Sequence, residues 1–120
     1  MLYVFEQNKA IVASWKVLRY EQEGDAYLLQ LTAVLHDDSR LELRDYLFID
    51  GQRKYAYQWM DANGGLRRRW DNAPHWPDIA TQPHHVHLPN SEYPEPSTVT
   101  NLEDLMAFLQ EWFRTQKSAK

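Results

Sequence analysis

The sequence predicts an α+β fold, an antiparallel meander sheet of about five to seven strands with one C-terminal amphipathic helix packed on it. Three observations lead to this prediction. Residues alternate between apolar and polar from Ile11 to Asp71, short turn signals separate the alternating runs, and a helical period follows residue 101. A chain of 120 residues has room for one core, so we expect residues 1–120 to form a single domain.

Three alternating runs fill the first half of the chain, with the period of two that a half-buried strand requires: residues 11–20, 27–36 and 40–49. The turn residues Gly24-Asp25 and Asp37-Asp38-Ser39 separate them. The third run is expected to place Leu47 and Ile49 on its apolar side. Asp50-Gly51 then marks a hairpin, because both residues tolerate the positive φ of a tight turn. Since antiparallel neighbours need only short loops, these runs predict a meander.

The next two runs carry a stripe of aromatic residues. The first places Tyr55, Tyr57 and Trp59 on one face of a strand, and Trp70 lies on the partner strand after the turn at residues 63–65. Such a stripe can stack nucleobases on an open sheet, or it can pack in the core. Residues 72–83 contain three prolines and predict an irregular loop, which a short strand at residues 84–88 follows.

The C-terminal segment has the pattern of an amphipathic helix. Thr100 and Glu103 have the spacing of a capping box, in which the Thr hydroxyl accepts from the amide of the third helical residue. Apolar residues then recur at helical spacing and are expected to pack on the sheet: Leu102, Leu105, Met106, Leu109, Trp112 and Phe113. Lys117 and Lys120 suit the negative end of the helix dipole.

Composition argues against several classes of protein. Hydrophobic residues make up 43% of the chain, which argues against disorder. The formal net charge of -4 argues against nucleic-acid binding over the whole surface and leaves local basic patches open. The chain has no cysteine, which excludes disulfides and thiolate chemistry. No apolar run is long enough to cross a bilayer and the N-terminus lacks the pattern of a signal peptide, so we expect a cytoplasmic protein.

Four histidines stand close together in the sequence: His75, His84, His85 and His87. If residues 84–88 are extended, His85 and His87 share one face of the strand and His84 lies on the other. Two imidazoles on one face can act as general acid and base. They can equally bind a divalent metal with Asp71 or Asp78 as the third ligand. The structural alternative is a hydrogen-bonded cluster that fixes the proline-rich loop to the sheet.

The one dense basic run is Arg67-Arg68-Arg69. Alternation along a strand puts Arg67 and Arg69 on one side together with Asp71, and Arg68 on the other side. Guanidinium groups beside histidines are suited to binding a phosphate and stabilising the charge that develops on it. The alternative is a solvated strand face with salt bridges to acidic residues of a neighbouring strand, Glu42 or Asp45.

Three motifs of this chain resemble the TumE family of small proteins from bacterial toxin–antitoxin loci. They are Tyr55-Ala-Tyr-Gln-Trp59, Arg69-Trp-Asp-Asn-Ala-Pro-His75 and Pro83-His-His-Val-His87. The resemblance extends over nearly the whole chain. It implies a toxin component encoded beside a DNA-binding antitoxin, so the implied partner is a cognate antitoxin protein. One departure is Trp76, where the family pattern often has a second histidine, which weakens any scheme that takes two imidazoles from that loop.

From these residues we predict a metal-independent endoribonuclease toxin, by analogy with what small toxins commonly do. Cleavage without metal needs a base, an acid and a cation at the phosphate. His85 and His87 are predicted as base and acid in either order, Arg69 stabilises charge, Asp71 orients an imidazole, and His75 is a further catalytic candidate. Five residues are predicted to bind substrate: Tyr57, Trp59, Arg67, Trp70 and Asn72. Trp59 or Trp70 would stack a base, and Asn72 would either orient the substrate or cap the turn.

Two rival functions are consistent with the same sequence. One is a binding module without catalysis, whose sheet or helix docks on a partner protein. The other is a metal-dependent hydrolase with His85, His87 and Asp71 as ligands. The leading prediction includes no cofactor and no membrane. Besides the antitoxin, the partners considered are RNA and a second copy of the chain in a homodimer.

Overall fold

The computed structural model describes residues 2–118, with the side chains of residues 117 and 118 excepted. The prediction that Lys117 and Lys120 complement the helix dipole therefore lies outside the described residues. None of the described helices is long and apolar enough to span a membrane. The elements follow in this order: α1 (Tyr3–Gln7), β1 (Val12–Glu23), β2 (Ala26–Leu35), β3 (Arg40–Leu47), β4 (Arg53–Met60), β5 (Leu66–Asp71), β6 (His85–His87), β7 (Glu95–Pro96) and α2 (Leu102–Ser118).

Within residues 2–118, seven strands form one antiparallel sheet in chain order from β1 to β7. Each strand pairs with its neighbours in the sequence, which is the meander that the short turns predict. At the β3–β4 turn, Gly51 has a φ of 86°, a backbone conformation that favours glycine. The predicted α+β fold class, an antiparallel sheet with a C-terminal helix, is confirmed.

The sheet has one face covered by α2 and one open face. Leu31, Leu43, Tyr57 and Trp70 are neighbours across four strands and are all buried on the covered face. Helix α2 packs on this face, since the rings of Trp59 and Trp70 both contact Phe108 of the helix. The apolar stripe predicted for the helix is buried or partly buried: Leu102, Leu105, Met106, Leu109, Trp112 and Phe113. Removal of this apolar surface from water is the main force that holds the two layers together.

Helix α2 is capped one residue later than the sequence predicts. Asn101 is the cap, because its Oδ1 accepts a hydrogen bond from the amide of Asp104 at 2.7 Å. The Asp104 carboxylate in turn accepts from the amide of Thr100, the residue before the cap, at 3.1 Å, so the two bonds form a variant of the capping box that is shifted by one residue. Glu103, the predicted partner of the cap, accepts instead from the hydroxyl of Tyr3 at 3.0 Å.

Two features near the ends of strands depart from the alternating pattern. Strand β3 ends at Leu47, so Ile49 lies in the following turn and is 82% exposed, where the sequence predicts a buried side chain. The short helix α1 precedes β1 and buries Val4 and Phe5. Five residues are too few for a helical period to be recognised in the sequence, which is why α1 has no counterpart among the predicted elements.

Strand β5 contains a bulge at Arg67. Trp59 of β4 pairs with Arg68, whereas the next residue of β4 pairs with Leu66, which leaves Arg67 as an extra residue. The bulge breaks the alternation on which the sequence argument depends. Arg67 therefore does not share a side with Arg69: its guanidinium lies 4.9 Å from the ring centroid of Trp59, on the covered face.

Candidate functional site

The open face of the sheet carries four charged or titratable side chains on β5 and β6. Arg69 pairs with His87 across the two strands, and Asp71 pairs with His85. Residues two apart on a strand point to the same side, so the four side chains form a two-by-two array. The residues between them on each strand are buried on the covered face. We call these four residues the open-face cluster.

Asp71 is at the centre of the open-face cluster. Its Oδ1 lies 2.7 Å from Nε2 of His85, and its Oδ2 lies 3.5 Å from Nε2 of His87. Nε of Arg69 donates a hydrogen bond to Oδ2 at 3.3 Å. The amide of Ala73 donates to Oδ1 at 3.0 Å and fixes the carboxylate where β5 ends. One buried carboxylate thus contacts both imidazoles and the guanidinium.

His85 is buried, with 1% of its surface exposed. Its Nδ1 lies 2.9 Å from the carbonyl oxygen of Pro83, and because a carbonyl only accepts, Nδ1 carries the proton and donates. In a neutral ring the lone pair is then on Nε2. Nε2 has no hydrogen-bond partner among the described residues. Oδ1 of Asp71 lies 2.7 Å away, which is within the distance of an ion pair, but the contact lacks the geometry of a hydrogen bond.

His87 is more accessible than His85: its side chain is 17% exposed, against 2% for His85. The ring of Trp76 lies edge-on to His87 at 6.4 Å between centroids, so the loop after β5 folds back beside the cluster. Burial, followed by the charge of Arg69, lowers the pKa of His87 from its ordinary value, and Asp71 acts in the opposite direction. A lowered pKa favours the neutral imidazole, which is the form that can accept a proton.

A cleft of about 590 Å³ lies beside the open-face cluster. Arg69 and Asp71 line it together with His75, which is exposed in the loop after β5, and with Lys54 of β4. A second groove, of about 450 Å³, is lined by Arg69 and by Arg44 of β3. Arg69 thus lines both grooves, and each of them holds at least one further cation. The structure brings His75 into the same cleft as Arg69 and Asp71.

The aromatic residues predicted to stack a base lie on the covered face. Tyr57, Trp59 and Trp70 are fully buried, and both tryptophans pack against Phe108 of α2. They are core residues, which is the alternative that the sequence leaves open. Base stacking on their rings does not fit this structure, because neither face of a buried ring is accessible to RNA.

Arg67 and Asn72 also have roles in the fold. Arg67 pairs with Asp37 at 2.8 Å and lies over two aromatic rings of the covered face. Asn72 accepts from the amide of Tyr55 at 2.9 Å and donates to the carbonyl of Arg53 at 2.7 Å, so it joins the end of β5 to the start of β4. These bonds cross to the neighbouring strand, so they differ from the predicted cap of the turn after Asn72, where Asp71 accepts from the Ala73 amide. The substrate contact predicted for Arg67 does not fit its position on the covered face. Asn72 lies at the edge of the sheet where β5 ends, and its substrate contact stays a prediction.

His84 points to the covered face, as alternation predicts. Its Nδ1 lies 2.7 Å from the hydroxyl of Tyr55, and the two rings stack at 5.8 Å between centroids. Burial and the charge of Arg53 lower its pKa. Among the described residues, the group whose donor atoms converge on a possible metal position is Asp71, His85 and His87, so Asp78 does not take the place of the third ligand.

Two groups that complete the cluster could not be assigned to it from the sequence. The Pro83 carbonyl fixes the tautomer of His85, but a backbone carbonyl leaves no trace in a side-chain pattern. Trp76 packs on His87 and also contacts Tyr93 at 6.0 Å between centroids. Its one signal in the sequence is its place directly after His75, in a loop that must return to the sheet.

Comparison with known proteins gives one match. The family model described as Toxin TumE matches residues 1–114. No curated protein and no solved structure matches the chain.

Proposed function

The chain belongs to the TumE toxin family, and from this membership we propose that it is the toxin of a toxin–antitoxin module and acts as a metal-independent endoribonuclease. RNA is its substrate, and a cognate antitoxin protein is the partner that neutralises it. The open-face cluster and the cleft beside it carry out the reaction. The supporting observation is that Arg69, Asp71 and His87 meet on the face of the sheet opposite α2, beside a cleft that His75 lines.

The reaction requires three groups and no metal. The 2′-oxygen of a ribose attacks the adjacent phosphorus while a base takes the 2′-hydroxyl proton. The bond from phosphorus to the 5′-oxygen breaks, and an acid gives that oxygen a proton. The products are a 2′,3′-cyclic phosphate and a free 5′-hydroxyl. A cation stabilises the additional negative charge that develops on the phosphate between these steps.

We assign these roles to the accessible residues of the cluster and the cleft. His87 is the base, because its pKa is lowered and its ring is partly exposed. Asp71, 3.5 Å away, stabilises the imidazolium that forms when His87 takes the proton. Arg69 is 41% exposed in its side chain and contacts the phosphate. His75, exposed in the cleft that Arg69 and Asp71 line, is the acid.

The burial of His85 changes the role predicted for it from the sequence. A side chain that is 2% exposed cannot contact RNA, so the acid–base pairing of His85 with His87 is replaced by that of His75 with His87. His85 acts through Asp71, whose Oδ1 it contacts at 2.7 Å, and is therefore a positioning residue.

The net charge of -4 does not oppose RNA binding at this face. Attraction to phosphate depends on the local arrangement of charge, and cations outnumber carboxylates in both grooves. Arg69, Lys54 and Arg53 face Asp71 in one groove, and Arg69 and Arg44 face Glu42 in the other.

Induced expression with and without the antitoxin gene, followed by sequencing of RNA 5′ ends, tests this proposal. We expect expression of the toxin alone to stop growth and to create new 5′-hydroxyl ends, and co-expression of the antitoxin to reverse both effects. Expression of the His87→Ala variant without the antitoxin is expected to leave growth and the RNA 5′ ends as they are in cells that express no toxin. Growth arrest with unaltered RNA ends, or full toxicity of a folded His75→Ala/His87→Ala double variant, would contradict the proposal.

A further inference from the structure

We propose that Asp71, His85 and His87 bind one zinc ion, and that the bound ion switches off the RNA-cleaving site. The binding half of this inference depends only on the geometry of the open-face cluster. The inhibitory half rests on the proposed function.

Convergence of donor atoms is the first observation. One ligand atom from each of Asp71, His85 and His87 lies within 4.8 Å of the other two. Two imidazole nitrogens and one carboxylate oxygen form a donor set that zinc prefers, whereas magnesium and calcium prefer oxygen ligands. Three protein ligands leave a fourth tetrahedral position for water.

The second observation is independent of the first and comes from His85 alone. Its Nδ1 donates to Pro83, so Nε2 is the ring nitrogen left for a ligand, and it is buried and without a hydrogen-bond partner among the described residues. Nε2 lies 2.7 Å from Oδ1 of Asp71, and two such atoms come this close only with a proton or a metal cation between them. A buried polar atom without a partner is costly, and a cation between the two atoms removes the cost.

The surroundings of the ligands are those of a zinc site. Histidines that bind metal commonly donate their other ring N–H to a backbone carbonyl, as His85 does to Pro83. The carboxylate of Asp71 is likewise held from outside, by the Ala73 amide on Oδ1 and by Arg69 on Oδ2. A tetrahedral ion with bonds of about 2.0 Å separates its ligand atoms by about 3.3 Å, so Nε2 and Oδ1 must move apart by about 0.6 Å.

A zinc ion at this position stops the proposed cleavage. The ion binds the ring nitrogen of His87 that faces Asp71, as well as the Asp71 carboxylate that the reaction uses. The lone pair of that nitrogen is then no longer free to accept the proton of the 2′-hydroxyl. The access of zinc to the site depends on His87, the more exposed of the two rings.

Calorimetric titration of the full chain with zinc chloride tests the binding, and the visible absorption of cobalt(II) tests the geometry. We expect one ion per chain and the intense absorption of tetrahedral cobalt. Loss of an outer-shell partner weakens metal sites by roughly 10–100-fold, so replacement of a direct ligand should weaken binding by more than that. The first ligand variant is His85→Gln. Because a change at this buried position can prevent folding, His87→Gln is the second ligand variant. His36→Gln is the matched control, because His36 is exposed and contacts the Lys9 carbonyl.

Cleavage of RNA with and without zinc is measured on the same samples, so the two proposals can fail separately. Stoichiometric binding that inhibits cleavage supports the inference. Absence of stoichiometric binding overturns the inference and leaves the proposed function unaffected. The short distance between His85 and Asp71 is then explained by a shared proton instead of a metal ion. Binding that stimulates cleavage overturns both the inhibition and the metal-independent mechanism. Binding by a chain that never cleaves RNA overturns the inhibition together with the proposed function, while the zinc site remains.

Discussion

His84, His85 and His87 lie within four positions of each other, yet their surroundings differ in kind. His84 is on the covered face with Tyr55 as its partner. His85 is buried on the open face against Asp71, and His87 is on the open face with part of its ring exposed. The three imidazoles therefore form an internal comparison in which the residue type is constant and the environment changes.

The first prediction uses this comparison. His87→Ala is expected to abolish RNA cleavage with little change in the melting temperature, since it removes the proposed base from a partly exposed position. His84→Ala is the control and is expected to do the reverse, because the Tyr55 hydroxyl loses its 2.7 Å partner while the open face is unchanged. Thermal unfolding and a cleavage assay on both variants check this. Recovery of the His87→Ala activity by added imidazole would distinguish a proton-transfer role from a structural one, and equal activity of the two variants would contradict the assignment.

The second prediction concerns two adjacent arginines on opposite faces. Arg69→Gln is expected to reduce the cleavage rate by roughly 10²–10³, the range for losing one electrostatic stabiliser. Arg68→Gln removes the same charge one residue away, from a guanidinium that lies 4.9 Å from the ring centroid of Phe108 on the covered face. We expect it to leave the rate within about threefold of wild type, because it does not touch the open-face cluster. Similar rate losses in both variants would point to overall charge as the cause.

At this scale, period-two alternation correctly separates His84 from His85 and His87, because it depends only on the local backbone. The burial of His85 could not be predicted, since it depends on contacts from other parts of the chain, such as the carbonyl of Pro83 and the neighbouring strands. The misplacement of Arg67 has a different cause. One extra residue in β5 reverses the alternation, and the sequence carries no signal for the bulge.

At the scale of elements, the cap of α2 gives the third prediction. Asn101→Ala is expected to reduce the free energy of unfolding by about 1 kcal/mol, since the Asp104 amide loses its acceptor. Glu103→Ala, at the position where the sequence predicts the capping glutamate, is expected to change it by less than about 0.5 kcal/mol, because only the exposed bond to Tyr3 is lost. Urea denaturation of both variants measures the difference. A larger loss for Glu103→Ala would favour the capping box predicted from the sequence.

The strands and the long helix could be predicted because their periods persist over many residues. The cap could not be placed with the same accuracy, because Thr100 and Asn101 are both good caps and lie next to each other. The helix begins after Asn101 because packing of Leu102 and Leu105 in the core sets its position on the sheet. Tertiary contacts thus choose between two local solutions of similar energy.

The whole molecule divides stability and chemistry between the two faces of one sheet. The covered face holds the core, and the open face holds the cluster, the cleft and the cations. The fourth prediction follows from this division. The side chain of Leu109 on α2 is fully buried. Leu109→Ala is expected to reduce the free energy of unfolding by about 2–5 kcal/mol and to leave the cleavage rate of the folded protein unchanged. Rates measured well below the melting temperature check it, and a rate that falls with stability would show that the faces are coupled.

The open-face cluster is proposed to cleave RNA by acid–base chemistry without metal. The most direct test is to incubate the purified chain with RNA in excess chelator and to identify the ends of the fragments by mass spectrometry. Attack by the 2′-oxygen predicts 2′,3′-cyclic phosphate and 5′-hydroxyl ends that are absent with His87→Ala. Fragments with 5′-phosphate ends that form only when metal is restored, or no fragments from a folded wild-type chain, would contradict the claim.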